Sequence, residues 1–303
     1  MNYPDSFLNL VNSSEGVELR KGIDLSSFST FKTKTIGDLL IVRNVDFIRK
    51  FLKENATFNI RYKMLGWGAN QVLSTFSGFY LKLELPFDRK ELEIFKSEFK
   101  LPASVSLAVL TSVASKLKIK GWEVLTGIPA SLGGAIFMNA GTALGEIASI
   151  TKSFEYVNLQ GEIVEHQVGE KTFSYRKNNI VKPGEVIISA TLKTTVQDEE
   201  IPKKIKDYLK YRNNSQPMNK NTCGCVFKNH VAKDGSRISA GQIIDLLGLK
   251  GFGIPGIRIS PIHANFFEHD GTLTDGQVIS FLELVKDIVQ LYTGIELEFE
   301  VQI

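Results

Sequence analysis

Cysteine is nearly absent: two occur in 303 residues, both inside Cys223–Gly224–Cys225. That spacing and that count exclude a disulfide framework. Charge of one sign is also scarce, with 36 Lys and Arg against 33 Asp and Glu for a net +3. Such an excess is too small to point to nucleic acid or a membrane surface, though it suits an anionic small molecule. No apolar run approaches the roughly 18 residues a membrane span needs. The N-terminal stretch MNYPDSFLNLVNSSEG lacks the basic region and apolar core of a secretory signal. No internal repeat or low-complexity tract is visible. What remains is an ordinary globular composition, 43% hydrophobic and 23% charged. It predicts a cytoplasmic, enzyme-sized protein with no nucleic-acid or membrane partner, too long for one small core and suited to two or three packed subdomains.

What is present is concentrated glycine. Residues 127–141 (GIPASLGGAIFMNAG) carry Gly127, Gly133, Gly134 and Gly141, with Pro129 after the opening Gly-Ile and Asn139 near the close. Glycine lets the backbone approach a bulky ligand and take positive φ, and it leaves consecutive N–H groups for anionic oxygens. Ile128, Leu132, Ile136, Phe137 and Met138 make the stretch apolar, so it reads as a cofactor cradle and not as a solvated linker. A second turn, Leu65–Gly66–Trp67–Gly68–Ala69–Asn70–Gln71, follows a short strand, and its amides suit a pyrophosphate. Two glycines two apart also occur in plain turns. Neither segment fits G-x-G-x-x-G or G-x-x-x-x-G-K-[ST], which argues against a Rossmann site or a P-loop.

Periodicity divides the chain into three regions, 1–85, 86–200 and 201–303. The first holds strands at Gly37–Arg43, Tyr62–Leu65 and Gly78–Leu85 with a helix over Val45–Glu54. The second holds strand-like sequence at Leu92–Phe99, a helix over Ser106–Lys118, a hairpin joining Phe154–Leu159 to Glu162–Gln167, and a strand at Glu185–Thr195. The third holds helices at Glu199–Arg212, Ala240–Leu247 and Asp275–Tyr292, the last capped by Thr274 or Asp275. It also holds a strand at Gly256–Pro261 and a final alternating strand at Glu296–Ile303. The class is α+β, without the strict βαβ order of a doubly wound fold.

LGWGAN and GIPASLGGAIFMNAG together resemble the two FAD-binding loops of UDP-N-acetylenolpyruvoylglucosamine reductases. That family belongs to the vanillyl-alcohol-oxidase-like flavoproteins, in which FAD lies between two α+β lobes. The resemblance continues in order through Tyr175–Arg176, Arg212, Gln216–Pro217, GCVFKN at 224–229, AGQIIDLLGLKG at 240–251, RISPIHANF at 258–266 and LEFEV at 297–301. It covers nearly the whole chain. It implies a two-lobed FAD-binding region over 1–85 and 86–200, and a C-terminal substrate-binding domain whose last strand returns to the active site. FAD and NADPH are the implied cofactors, a UDP-sugar enolpyruvyl ether is the implied substrate, and a monomer is expected. No metal is called for.

The implied chemistry is hydride delivery to an enolpyruvyl double bond followed by protonation, which needs cations or acids near the substrate carboxylate and one placed proton donor. The resemblance assigns these roles to Arg176, Glu300 and Cys225. A guanidinium pairs with a carboxylate in bidentate fashion, although a surface ion pair is the commoner fate of an arginine. Glu296, Glu298 and Glu300 share one face of a strand by period two, so a solvated acidic edge competes with a catalytic Glu300. Cys225 stands where the family carries a serine donor. A thiol, with a reference pKa of about 8.5, is mostly protonated at neutral pH and far more acidic than a hydroxyl. A buried inert cysteine and a Cys-x-Cys metal or redox pair are the competing readings, with His230 as the nearest further ligand.

Tyr175, Gln216, Lys228, Asn229, Gln242, His263 and Asn265 are the implied substrate contacts, Lys228 and Asn229 suiting the phosphates and sugar. For His263 a satisfied core histidine is an equal alternative. The sequence departs from the family pattern at Ser29, Ala69, Asn178 and His230, and the span from Arg176 to Ile187 is short, as in members without a substrate-covering insertion. Two rival functions share the loops: another oxidoreductase of the same superfamily, or a catalytically silent flavin-binding protein.

Overall fold

The computed structural model describes residues 2–232 and 235–303. The chain divides into two compact units. One comprises Met1–Lys21, Asp38–Gly66 and Ser77–Leu209, the other Gly22–Gly37, Trp67–Phe76 and Lys210–Ile303. Residues 22–37 and 67–76, expected in the first region, cluster instead with the C-terminal hundred residues. Hydrogen bonds explain it: the Thr33 and Thr35 hydroxyls both donate to the Leu73 carbonyl, and the Thr30 hydroxyl donates to the Thr222 carbonyl at 2.7 Å.

The first unit opens with α1 (Asp5–Ser13) and β1 (Val17–Asp24), two elements the sequence reading did not place. β2 (Ile36–Val42), α2 (Val45–Phe58), β3 (Tyr62–Leu65) and β4 (Phe79–Leu83) follow close to their predicted ranges. Asn44 caps α2 by accepting the Asp46 N–H, and Asn59 ends it in the left-handed region. The sheet order is β1-β2-β4-β3, with β4 parallel to both neighbours. The run Leu39–Val42 is wholly buried, as a parallel strand covered on both faces requires. Phe7 of α1 stacks on Phe79 at 5.6 Å and meets Phe51 edge-on at 5.8 Å, which ties the N-terminal helix to this sheet.

The predicted strand at Leu92–Phe99 is displaced. A 3-10 turn fills Arg89–Leu92, started by the Asp88 carboxylate accepting the Lys90 N–H, and such a local bond competes with strand pairing. The strand begins only at β5 (Glu98–Pro102). Then come α3 (Leu107–Leu117), α4 (Leu132–Met138), β6 (Gly141–Thr142) and β7 (Gly145–Glu146). They lead to β8 (Thr151–Val157), β9 (Ile163–Gln167), β10 (Phe173–Ser174), β11 (Lys177–Asn178) and β12 (Val186–Lys193). β5, β12, β8 and β9 form an antiparallel sheet in that order. Its core is anchored by the fully buried Trp122, whose Nε1 donates to the Lys193 carbonyl. The helix α5 (Ile201–Ser215) carries the chain into the second unit.

That unit contains the hairpin of β13 (His230–Val231) and β14 (Arg237–Ile238), then α6 (Ala240–Leu246). A three-stranded sheet follows, made of β15 (Gly253–Ile254), β16 (Ile257–Ile259) and β17 (Phe267–His269). α7 (Asp275–Thr293) starts with a capping box of Thr274 and Gln277 and stops at Gly294 with φ +72°. Val278, Phe281, Leu282, Val285 and Val289 on its inner face are buried. The predicted final strand at Glu296–Ile303 is not a continuous ladder; among the described residues the isolated bridges Phe227–Phe299 and Gln71–Gln302 pair it. The fold class is α+β, and no helix among the described residues is long and apolar enough to cross a membrane.

His269 is buried at 4% exposure, with Nδ1 3.0 Å from the Phe31 carbonyl oxygen and Nε2 without a partner. Burial lowers its pKa below the ordinary 6.5, and burial does the same to His263. Below about pH 6.5 the unfolded chain therefore binds protons that the folded chain refuses, so stability falls on acidification. Thermal midpoints measured between pH 7.5 and 5.5 should decline through this window, and His269→Gln should flatten the decline; an unchanged slope in that variant would contradict the assignment.

Candidate active site

Each unit assembles part of the expected set. In the first, the Gly127–Gly141 segment turns into α4, whose N-cap Ser131 accepts the Gly134 N–H. The expected run of consecutive free amides is not found. Ile128, Leu132 and Gly133 donate their N–H groups to the carbonyls of Leu125, Val105 and Ala103. Gly133 and Gly141 serve close packing. A Cβ on residue 133 would stand 2.8 Å from the Ala103 Cβ, and one on residue 141 would stand 2.7 Å from the Gly145 carbonyl oxygen. Gly127 takes φ +73°, Pro129 and Gly134 are exposed, and a Cβ on residue 134 would meet only Ser131 Oγ within 4 Å. Gly134 is thus the exposed bare backbone of this segment.

Asn139 is buried and left-handed at the end of α4. Its Nδ2 donates to Glu146 Oε2 at 2.7 Å and to the Ser174 carbonyl at 3.1 Å, and its Oδ1 accepts the Ala148 N–H. Its side chain therefore holds the neighbouring chain in place, and the expected cofactor contact by that side chain does not fit this geometry. The bond to Ser174 secures the base of the β10–β11 hairpin. Ser174 pairs with Lys177, so Tyr175 and Arg176 form a two-residue turn. Arg176 sits at φ +56°, a conformation glycine or asparagine would adopt more cheaply. Its guanidinium carbon lies 5.2 Å from the Tyr175 ring centroid. Asn178, a departure from the family pattern, accepts the Ile180 and Val181 N–H groups on Oδ1.

The turn at 65–71 divides between the units after Gly66. Leu65 is the buried end of β3, and a Cβ on Gly66 would stand 2.9 Å from Ser131 Oγ. The two glycine-rich segments therefore touch within the first unit. In the second unit Trp67 is 51% exposed. Gly68 at φ +60° is pressed onto residues 28–29, where a Cβ would fall 2.2 Å from the Phe28 carbonyl oxygen. The Ser29 hydroxyl donates to the Gly68 carbonyl, and the Ala69 carbonyl oxygen is 3.9 Å from where a Cβ on Gly224 would stand.

The remainder of that turn binds the C-terminal segment. Asn70 Nδ2 donates to the Glu300 carbonyl at 3.0 Å, and the Gln302 N–H donates to the Asn70 carbonyl, with Gln71 opposite Gln302. The Glu300 N–H in turn donates to the Val226 carbonyl at 2.8 Å, one residue from Cys225. Cys225 is partly exposed and stands opposite Phe266. Cys223 is fully buried, and burial pushes its thiol pKa up to about 12, which makes it an inert core residue. Among the described residues no three His, Cys, Asp or Glu side chains gather as a metal-binding set.

The acidic edge is not uniform. Glu298 is exposed and pairs with Lys228 at 3.0 Å, Glu296 pairs with Lys286 at 3.3 Å, and Glu300 is buried. Lys228 is partly exposed; Asn229 Oδ1 accepts the Ala240 N–H at the start of α6. Gln216 Oε1 accepts from Arg212 Nε, and Gln242 is exposed. His263 Nδ1 accepts the Asn265 N–H, which puts the ring proton on Nε2, and its ring meets Phe266 edge-on at 4.7 Å. Asn265 is 3% exposed with both ends of its amide on the Phe227 main chain. Both side-chain groups are engaged there, so the expected substrate contact by its side chain does not fit.

Residues 216–303 match the domain family described as UDP-N-acetylenolpyruvoylglucosamine reductase, C-terminal domain, and residues 39–167 match the FAD binding domain family. The UDP-N-acetylenolpyruvoylglucosamine reductase of Chlamydia pneumoniae is 31% identical over 94% of this chain and 91% of its own. The chain belongs to the UDP-N-acetylenolpyruvoylglucosamine reductase family. The relative of the same name from Clostridioides difficile is 28% identical over 100% of this chain and 99% of its own. The crystal structure of the Thermus caldophilus enzyme superposes with a TM-score of 0.76 at 27% identity, covering 94% of this chain and 98% of that one.

The residues present fit the flavin this family uses. A Cβ on Gly66 would stand 2.9 Å from Ser131 Oγ and one on Gly134 would meet only that oxygen, at 3.3 Å, so the glycines keep the backbone bare on both sides of Ser131. Sequence reasoning gave no role to Ser131, which caps α4 without the acidic residue of a capping box, or to Ser29, which braces Gly68. Gly68→Ala should strain the turn by about 1–3 kcal/mol through its φ alone, before the contact with Phe28. Loss of flavin absorbance on purification, together with a lower thermal midpoint, is the expected result. Arg176→Gly should relieve about 1 kcal/mol of backbone strain yet lower kcat about 100-fold. A collapsed midpoint in that variant would mark Arg176 as structural.

Proposed function

We propose that the protein reduces UDP-N-acetylglucosamine enolpyruvate to UDP-N-acetylmuramate with FAD and NADPH, supplying a peptidoglycan precursor. The observation that carries this reading is the hydrogen bond from the Glu300 N–H to the Val226 carbonyl. It joins the backbone of the Glu300 segment to the residue that follows the partly exposed Cys225, in a chain that matches the reductase family along its length. The bound flavin supplies hydride chemistry, taking its reducing equivalents from NADPH.

The chain's own residues would do the rest. Arg176 would pair its permanent charge with the substrate carboxylate and stabilise negative charge as it builds there. Cys225 would give its Sγ proton to the carbon of the double bond that does not receive the hydride, and the thiolate would regain a proton from solvent. Glu300 would assist by orienting a water or the developing acid form. Lys228, released from its surface pairing with Glu298, would meet the diphosphate, and exposed Gln242 could reach the sugar. Exposed ion pairs of that kind contribute little to folding, so the exchange of partners costs little. A cytoplasmic monomer completes the reading, to be checked by fractionation and sedimentation.

The test is NADPH oxidation that depends on UDP-N-acetylglucosamine enolpyruvate. A yellow protein without that dependence would be a flavin binder of another function. Cys225→Ser should keep much of the activity, whereas Cys225→Ala should let flavin oxidation outrun product formation. Equal product rates for Cys225→Ala and the parent would remove Cys225 from proton delivery.

A further inference from the structure

We propose that two buried asparagines, Asn139 and Asn178, are positioning residues for Arg176, holding the turn that carries it against the end of α4. The inference rests on the reading of Arg176 as the partner of the substrate carboxylate. Arg176 lies in the two-residue turn between β10 and β11, and each of those strands is two residues long. An isolated two-stranded hairpin is marginal in water, so one this short takes its place from whatever it is tied to. Both of its arms are tied to the same helix end. On the first arm the Ser174 carbonyl accepts from Asn139 Nδ2 at 3.1 Å. On the second, Asn178 Nδ2 donates to the Ile136 carbonyl at 3.4 Å.

Each amide is held by further bonds. Asn139 Oδ1 accepts the Ala148 N–H at 3.3 Å, and its Nδ2 also donates to Glu146 Oε2 at 2.7 Å. Asn178 Oδ1 accepts the Ile180 and Val181 N–H groups at 2.9 and 3.2 Å. Ile136 stands where the ladder of α4 ends, and its carbonyl receives both the Asn139 N–H and the Asn178 amide. A hairpin tied by one arm can rock about that bond; ties on Ser174 and on Asn178, which pairs with Phe173, oppose that motion. They locate the turn, and with it the Cα of Arg176 from which the guanidinium reaches. Both asparagines are buried, so water has little access to replace either amide. α4 also carries Gly134, so the turn is held to the element that presents the bare backbone of the glycine-rich segment.

The experiment is a double-mutant cycle on the full-length flavoprotein: Asn139→Gly and Asn178→Ser, each in the parent and in Arg176→Gly. Glycine at 139 removes the side chain and accepts the left-handed backbone without strain. Serine at 178 keeps an acceptor for the N–H groups that follow and lacks the reach of the amide donor. Flavin content, flavin reduction by NADPH, flavin reoxidation by UDP-N-acetylglucosamine enolpyruvate and thermal midpoint are measured for each. Reoxidation by the substrate should slow about 10- to 100-fold in either variant, the range for a reacting group misplaced by about an ångström. Flavin content should match the parent, and flavin reduction by NADPH, a step without the enolpyruvyl carboxylate, should stay within about twofold. In the Arg176→Gly background neither change should slow reoxidation further, because coupled residues are non-additive.

An additive loss in that background, an equal slowing of both half-reactions, or a loss of flavin would overturn the proposal and leave the asparagines structural residues. Should Asn139→Gly fail to fold, Asn178→Ser decides. It leaves the Asn139 bonds to Glu146, Ala148 and Ser174 in place, and must show the same non-additivity. A parent whose reduced flavin is not reoxidised by the enolpyruvyl substrate overturns the functional reading and this inference together; an active parent with additive losses overturns this inference alone.

Discussion

Val226 is where three distant stretches of sequence are joined. Its amide donates to the Asn265 carbonyl, and its own carbonyl receives the amides of Glu300 and Val301. Everything chemical in the second unit is placed relative to that one residue: Cys225 before it, Phe227 clamped after it, Glu300 hydrogen-bonded across from it, and Asn70 bound to Glu300 in turn. The three bonds on Val226 itself are main-chain bonds in a buried setting, so each one lost leaves a donor or acceptor unsatisfied at a cost of about 1–3 kcal/mol. A site built on backbone bonds tolerates changes of side chain.

The first unit uses conformation differently. Asn139 and Arg176 both lie in the left-handed region, at φ +48° and +56°. Asn139 repays its conformation locally, because its amide ties Glu146, Ala148 and Ser174 together. The Arg176 guanidinium lies over its neighbour's ring, an interaction worth about 0.5–1 kcal/mol at an exposed site.

The regular elements were legible in the sequence because their periodicity is a direct image of burial. α7 shows it, with its inner-face residues spaced three and four apart and Thr274 at its cap. The misplacements have local causes. The strand expected at Leu92–Phe99 gives way to a turn that Asp88 nucleates, and a propensity reading cannot weigh one carboxylate against a ladder. The membership of residues 22–37 and 67–76 was invisible because it depends on hydroxyl bonds across dozens of residues. Asn265 was legible as part of a motif, but the side chain's direction was not. The sequence identified a polar residue near the chemistry, and only geometry shows that both ends of its amide face the protein.

Period-two reasoning fails at the site itself, and the failure is instructive. In a regular strand residues two apart share a face, so Cys223 and Cys225 should be alike, as should Glu298 and Glu300. Instead Cys223 is fully buried while Cys225 is partly exposed, and Glu298 reaches solvent while Glu300 is buried. Both segments pair through isolated bridges, Cys225 with Phe266 and Phe227 with Phe299, and not through a continuous ladder. Gly224 at φ +74° supplies the break in one of them. Breaking the alternation lets one segment lend a core thiol and a candidate donor from identical side chains, and lets the other lend a surface ion pair and a buried carboxylate. A regular sheet would have forced each pair to the same fate, so the irregular backbone is what gives these two motifs distinct chemical roles.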